Sequence, residues 1–369
     1  MTDQKTPLRA RLGKAARDPD EGRLAGPGRL RTTDLGVETD GDDGLSLADY
    51  AIEHGLRPSA ARPSIPAYLR QLWRRAQFIV AFATARNVAM YTEARLGQLW
   101  QVLTPLLNAG VYFLIFGLLL KINRGVPNYF GFVVAGVFIF NFTQRSVITT
   151  STVMTDSLEL IRALHFPRAA LPLAYVMIEF QQMLVSLVVL VPILLLTGEP
   201  LTWYWLLAIP ALLLQTIFNV GVGLFSARLG SQVNDFSQLL PFLMRTWLYV
   251  SGVIFSIPTV SSNQKIVALL ELNPAALFIN LSRNALMITQ RESAPGSKPY
   301  SKALCQQWHS PALGHNPNAQ HKYQFYSAYC HNVGANPAHF WYYAIGWAVI
   351  AIVIGFWYFW RAETRYGRG

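Results

Sequence analysis

The sequence predicts an all-α membrane protein with six transmembrane helices, an N-terminal interfacial amphipathic helix and a re-entrant helical hairpin before the last span. Three observations lead there. Of 369 residues 52% are apolar and 14% charged, whereas a soluble domain carries about 25% charged residues. Uncharged apolar runs of about 20 residues recur, the length a helix needs to cross a hydrocarbon core of about 30 Å. The net charge of +11 is spread beside those runs instead of forming one polar patch. Lys and Arg therefore read as topology signals and membrane-lipid contacts, and no nucleic-acid partner is expected.

Residues 1–63 are polar, with Gly, Pro and acidic clusters such as GDDG at 41–44. They show no sustained apolar period and no apolar core of a cleavable signal peptide, so a disordered cytoplasmic tail is expected and the first span must direct insertion. Over 64–97, Pro66 suits a first helical turn. Leu69, Leu72, Trp73, Ala76, Ile79 and Ala83 follow with helical spacing, and Arg70, Arg74 and Arg75 share another face. This pattern fits a helix lying in the membrane interface; a solvated helix packed on a partner is the alternative.

The region 98–289 holds five predicted spans, near 99–120, 128–148, 171–196, 203–227 and 239–255, and the sixth follows at 340–360. An even number puts both termini on one side. The arginines before the first span, with Arg361, Arg365 and Arg368 after the last, mark that side as the cytoplasmic face of a plasma membrane. Trp341, Tyr342 and Tyr343 at one end of the last span, with Trp357, Tyr358 and Trp360 at the other, form two aromatic belts. The segments 265–272 and 275–287 are apolar but too short to span. Hinged at Asn273 and Pro274, they fit a re-entrant hairpin.

The polar insert 290–338, expected to be an extracytoplasmic cap, contains Cys305, Cys330 and several histidines. Their spacing matches no regular zinc pattern, so a disulfide is favoured over a metal site. Residues 339–369 carry the last span and a basic cytoplasmic tail.

Several stretches, in order, resemble a known family. Arg86, Tyr91, Arg95, Leu96, Gly97, Trp100, Pro105 and Leu106 look like its lead-in motif, and YFGFVVAGVFIFNF (129–142) is similar to its second span. LIRALHFPRAALP (160–172) resembles its coupling loop. QLLPFLMRTWLYVSGVIFS (238–256), Asn273, Pro274 and Arg283 resemble its fifth span and hairpin. The family is the permease subunits of ABC-2 type polysaccharide exporters, which move lipid-linked O-antigen, teichoic acid or cell-wall galactan. The resemblance covers about two thirds of the chain. Asn234 and Asp235 depart from the family's frequent Arg-Asp before the fifth span, and the insert is longer than the family motifs explain.

The resemblance implies a transport permease, not an enzyme, that works as a homodimer on a lipid-linked polysaccharide. The chain has no GxxxxGK[ST] loop. An ATP-binding cassette ATPase subunit is thus the expected partner, ATP and Mg belong to it, and this chain needs no cofactor. Glu159, Arg162, His165, Phe166 and Arg168 are the candidates for coupling to that ATPase; an inner loop binding lipid headgroups is the plainer reading. Arg145, Glu179 and Arg245 are ionisable residues within spans, where each needs a reason. Counted at about 1.5 Å per residue, all three fall in the cytoplasmic third.

An arginine fork suits phosphate oxygens, so Arg145 or Arg245, with Arg86 and Arg95 near the gate, are candidates for a lipid diphosphate. An ion pair with Glu179, or snorkelling of Arg145, is the structural alternative. Tyr112, Phe113, Phe116, Phe138, Phe140 and Phe142 are candidates for lining a sugar path, against lipid-facing or core packing. A permease for drugs or small lipids is the nearest rival function. A polytopic glycosyl- or acyltransferase is a more distant one, since His165 and Asp235 have no evident partners.

Overall fold

The computed structural model describes residues 64–92, 96–120, 128–163, 166–257, 264–287 and 338–363. The tail to residue 63, the insert with Cys305 and Cys330, and the candidates Arg95 and His165 lie outside the described residues. Among the described residues all regular structure is helical.

Helix α1 (Ile65–Arg74) begins with Pro66 in its first turn and breaks at Arg75, after which α2 (Ala76–Tyr91) continues. Their inward side is Tyr68, Ile79, Ala83 and Asn87. The predicted apolar face is thereby divided: Ile79 and Ala83 pack inward, while Leu69 and Trp73 stay exposed, Trp73 at 83%. Helix α3 (Trp100–Tyr112) widens into a π-helical stretch over Phe113–Leu119.

Helix α4 (Tyr129–Asp156) is the central element, with 78% of its most apolar stretch buried. Asn128 caps it from a left-handed backbone (φ 48°), accepting from Gly131 N at 3.1 Å. The same side chain donates to Thr197 Oγ1 and Glu199 Oε1, each at 3.0 Å, tying the start of α4 to the end of α6. A short helix α5 (Leu158–Ala163) leads through the FPR loop into α6 (Ala170–Leu196). A 3₁₀ stretch, Trp203–Leu207, opens α7 (Ala208–Gln232), and α8 is Asn234–Val250.

Helix α9 (Gln264–Glu271) and α10 (Pro274–Leu286) meet at 81°, the bent pair expected from Asn273 and Pro274. Helix α11 (Ala338–Arg361) completes the bundle against α7. Among the described residues five helical segments, α8 not among them, are long and apolar enough to cross a membrane, or six if the bent pair is one span.

Boundaries differ most around the fifth predicted segment. Helix α8 starts at Asn234 and ends at Val250, where 239–255 was expected, and only Val233 separates it from α7. Polar residues such as Ser231, Gln232 and Asp235 carry helix past the apolar run, because hydropathy marks the membrane and not the end of helical hydrogen bonding. After Val250 the chain turns at Gly252 (φ +65°), a conformation that glycine adopts without strain.

That turn is held by Arg283 on α10, which is 2% exposed. Its guanidinium donates to Gly252 O at 2.8 Å, Val253 O at 2.7 Å and Phe132 O at 2.8 and 3.1 Å. It also lies 3.4 Å from the Phe132 ring centroid. Gly136 leaves the space, since a Cβ there would collide with the guanidinium. The hinge is pinned as well: Trp247 Nε1 donates to Asn273 Oδ1 at 2.8 Å, and Trp347 Nε1 to Leu272 O at 2.9 Å.

Candidate functional site, a polar cleft in the bundle

Polar side chains placed in apolar helices must find partners, because nothing else near them can hydrogen-bond. Four helices bring such residues together: Asn87 from α2, Gln101 from α3, Arg145 from α4, and Glu179 and Gln182 from α6. Arg145 Nη1 donates to Gln182 Oε1 at 2.6 Å. Gln182 Nε2 and Gln101 Nε2 both donate to Asn87 Oδ1, at 3.4 and 3.3 Å. Asn87 Nδ2 donates to Gln181 Oε1 at 3.3 Å, and Gln181 Nε2 passes the chain on to Thr84 Oγ1 at 2.9 Å.

The network borders a small cleft whose remaining wall includes Pro105, Phe138, Phe142 and Met183. Glu179 is 6% exposed, interacts electrostatically with Arg145, and has one carboxylate oxygen, Oε2, without a hydrogen-bond partner. Gln101, 1% exposed, has an orphan oxygen as well, Oε1. Arg145 is half-buried and also interacts with Tyr91. One guanidinium and one carboxyl group thus share the cleft with amides.

The sequence candidates distribute unevenly around this cleft. Arg145 and Glu179 both border it. Arg245 is not among the lining residues; it is exposed on α8, near Tyr112, whose ring lies 6.5 Å from that of Tyr249. Arg86 is exposed on α2 beside the inward Asn87. Phe138 and Phe142 line the cleft, whereas Phe140 packs edge-on against Trp247 at 6.1 Å. These three are at most 3% exposed and belong to the core of one chain. Tyr112, Phe113 and Phe116 are only half-buried.

At one end of the bundle the FPR loop forms a second polar assembly. Glu159 and Arg162 are exposed on α5, with Ile161 buried beneath them. Phe166 is half-buried against Phe78, at 5.9 Å between rings. Arg168 turns inward: its backbone N–H donates to Glu363 Oε1 at 3.0 Å and its guanidinium to the Glu363 carbonyl. Tyr68 Oη donates to Glu363 Oε2 at 2.8 Å and accepts from Ala169 N at 3.0 Å. Burial raises the Glu363 carboxyl above its ordinary range, against the opposing pull of Arg168 and Tyr68.

Sequence reading missed Asn87, Gln101, Gln181, Gln182, Tyr68 and Glu363. The amides left a usable signal: Gln181 and Gln182 interrupt an otherwise apolar run, and each needs a partner. Tyr68 and Glu363 left less, being 295 residues apart in the chain.

Comparison with known proteins adds to this geometry. Residues 77–287 match the family model described as ABC-2 type transporter. The chain is similar to an O-antigen export system permease protein RfbA of Klebsiella pneumoniae, 27% identical over 198 residues, which is 53% of this chain and 75% of the relative. A protein of the same name from Myxococcus xanthus is 22% identical over 231 residues, 63% of this chain and 87% of the relative.

Proposed function

Because the chain belongs to the ABC-2 type transporter family, we propose that it is the permease of an ATP-driven exporter for a lipid-diphosphate-linked polysaccharide. The observation that carries this reading is the buried polar cleft between α2 and the spans, with Arg145 as its cation. The relatives named as O-antigen export permeases support the substrate class, O-antigen-like or a cell-wall galactan.

A separate ATP-binding cassette subunit supplies the energy and holds ATP and Mg. Two permease copies face each other around the path, in a plasma membrane, with both termini cytoplasmic. Arg145 receives a phosphate of the lipid diphosphate, since its guanidinium offers donors only and is already oriented by Gln182. Arg245, with Tyr112 and Tyr249, stands on an exposed face where a passing chain is met. Glu159 and Arg162 give the ATPase a charged grip.

Depletion of the chain in its host, followed by extraction of lipid-linked glycans, tests the reading. Intracellular accumulation of one polymer on its lipid is the expected result, and its composition names the sugar. No accumulation overturns the exporter reading.

A further inference from the structure

We propose that Tyr68 and Glu363 are positioning residues for the ATPase contact: together they hold residues 167–169, between α5 and α6, in the one pose from which the ATPase drives export. The proposal rests on the exporter reading above, with α5 as the contact.

The need for them arises in the loop's own sequence. Helix α6 begins at Ala170 with Ala169 at its N-cap, where no side chain accepts a hydrogen bond. No residue of FPRAALP (166–172) belongs to the Ser, Thr, Asp and Asn set that caps helices locally. The first N–H groups of a helix have no partner within it. Ala170 N and Leu171 N turn back to Pro167 O and Arg168 O, at 2.9 and 3.2 Å, and Pro172 has no N–H to place. Arg168 N and Ala169 N are satisfied from far along the chain, by Glu363 Oε1 and Tyr68 Oη, each at 3.0 Å. Tyr68 Oη in turn donates to Glu363 Oε2 at 2.8 Å, and the Arg168 guanidinium donates to the Glu363 carbonyl. The start of α6 is thus capped by α1 and by the turn after α11.

Apolar packing already joins these parts, since Tyr68, Ile161, Ala169, Leu171, Phe359 and Ala362 belong to one buried cluster. Such contact is non-directional, and a buried carboxylate beside it costs desolvation. What the carboxylate adds is direction: two oxygens aimed at two donors fix where the loop stands against α1 and α11. Negative charge also suits the N-terminal end of α6. Helix α5 ends at Ala163, shortly before this fixed point, and its buried Ile161 enters the same cluster. The exposed Glu159 and Arg162 therefore take their placement from the bonds at Tyr68 and Glu363.

The test uses the full permease with its ATPase and the variants Glu363→Gln, Tyr68→Phe and the two combined. Glu363→Gln keeps the shape but turns an amide donor toward one of the two donors, and Tyr68→Phe removes only the hydroxyl. Four quantities are measured: melting of the complex in lipid nanodiscs, co-purification of the ATPase, ATP hydrolysis by the complex, and glycan release by host cells. Each variant is expected to melt near wild type, keep its ATPase and hydrolyse ATP, while glycan release falls about tenfold. The combined variant falls no further than the worse single one, because both side chains serve one loop.

Two outcomes overturn the positioning role with the exporter reading intact. One is unchanged release in either folded single variant. The other is a loss of release that follows loss of folding or of melting temperature in both, as a cap that only stabilises α6 would give. If the wild-type cells release no glycan in an ATPase-dependent manner, the positioning role falls together with the exporter reading.

Discussion

Arg145 and Arg283 stand in the same bundle and are satisfied in opposite ways. Arg283 gives its donors to three backbone carbonyls and is closed off from solvent, so its role is to hold a turn. Removing it strands buried acceptors, each costing about 1–3 kcal/mol. Arg283→Met should therefore lower thermal stability in detergent by on the order of 3 kcal/mol and reduce protein level. Arg283→Lys should recover little, because an ammonium cannot reproduce the fork. Arg145 makes one short bond to a glutamine and keeps part of its surface open. Arg145→Ala is expected to abolish export in a glycan-release assay while the protein persists at near-native level. Sequence alone flagged Arg145 as a costly charge within a span and marked Arg283 only through the family resemblance, giving neither its partners. It did not separate them, because the distinction lies in carbonyls more than a hundred positions away, such as Phe132 O.

At the scale of elements, apolar length located nearly every helix, and the break at Asn273 and Pro274 was legible from turn chemistry. Helix ends were less so. Helix α4 runs eight residues past its predicted end at 148. The Thr hydroxyls there are satisfied by donating back to the preceding turn, Thr149 Oγ1 to Arg145 O at 2.8 Å and Thr150 Oγ1 to Ser146 O at 2.6 Å, so the helix continues with no polar group left unpaired by them. Packing distance was not legible either. Helices α7 and α11 touch through Gly221 and Gly355, where a Cβ at 355 would overlap the Gly221 carbonyl and one at 221 the Ala351 carbonyl. Gly355→Ala should thus destabilise by about 1–3 kcal/mol, the usual effect of overpacking. Gly346→Ala on the same helix meets open space and should change the melting temperature little. Equal shifts for the two would remove the close-approach explanation.

For the whole molecule, the proposal that an ATPase moves this bundle makes α5 the place of transmission. Its exposed Glu159 and Arg162 sit over buried Ile161, so reversing both charges should leave the permease folded. Glu159→Arg with Arg162→Glu is expected to reduce co-purification of the ATPase, and export with it, by about tenfold or more. Retained co-purification and export would move the contact elsewhere. The family resemblance pointed to this loop, in which Arg168 holds Glu363.

Tyr68 and Glu363 stand close to the first and last described residues, and both hold the same loop between α5 and α6. Mechanically this makes the loop a yoke: a push on it is delivered at once to the helix that opens the bundle and to the helix that closes it. A stroke applied at one point would swing both flanks as one lever, without a relay passing from span to span.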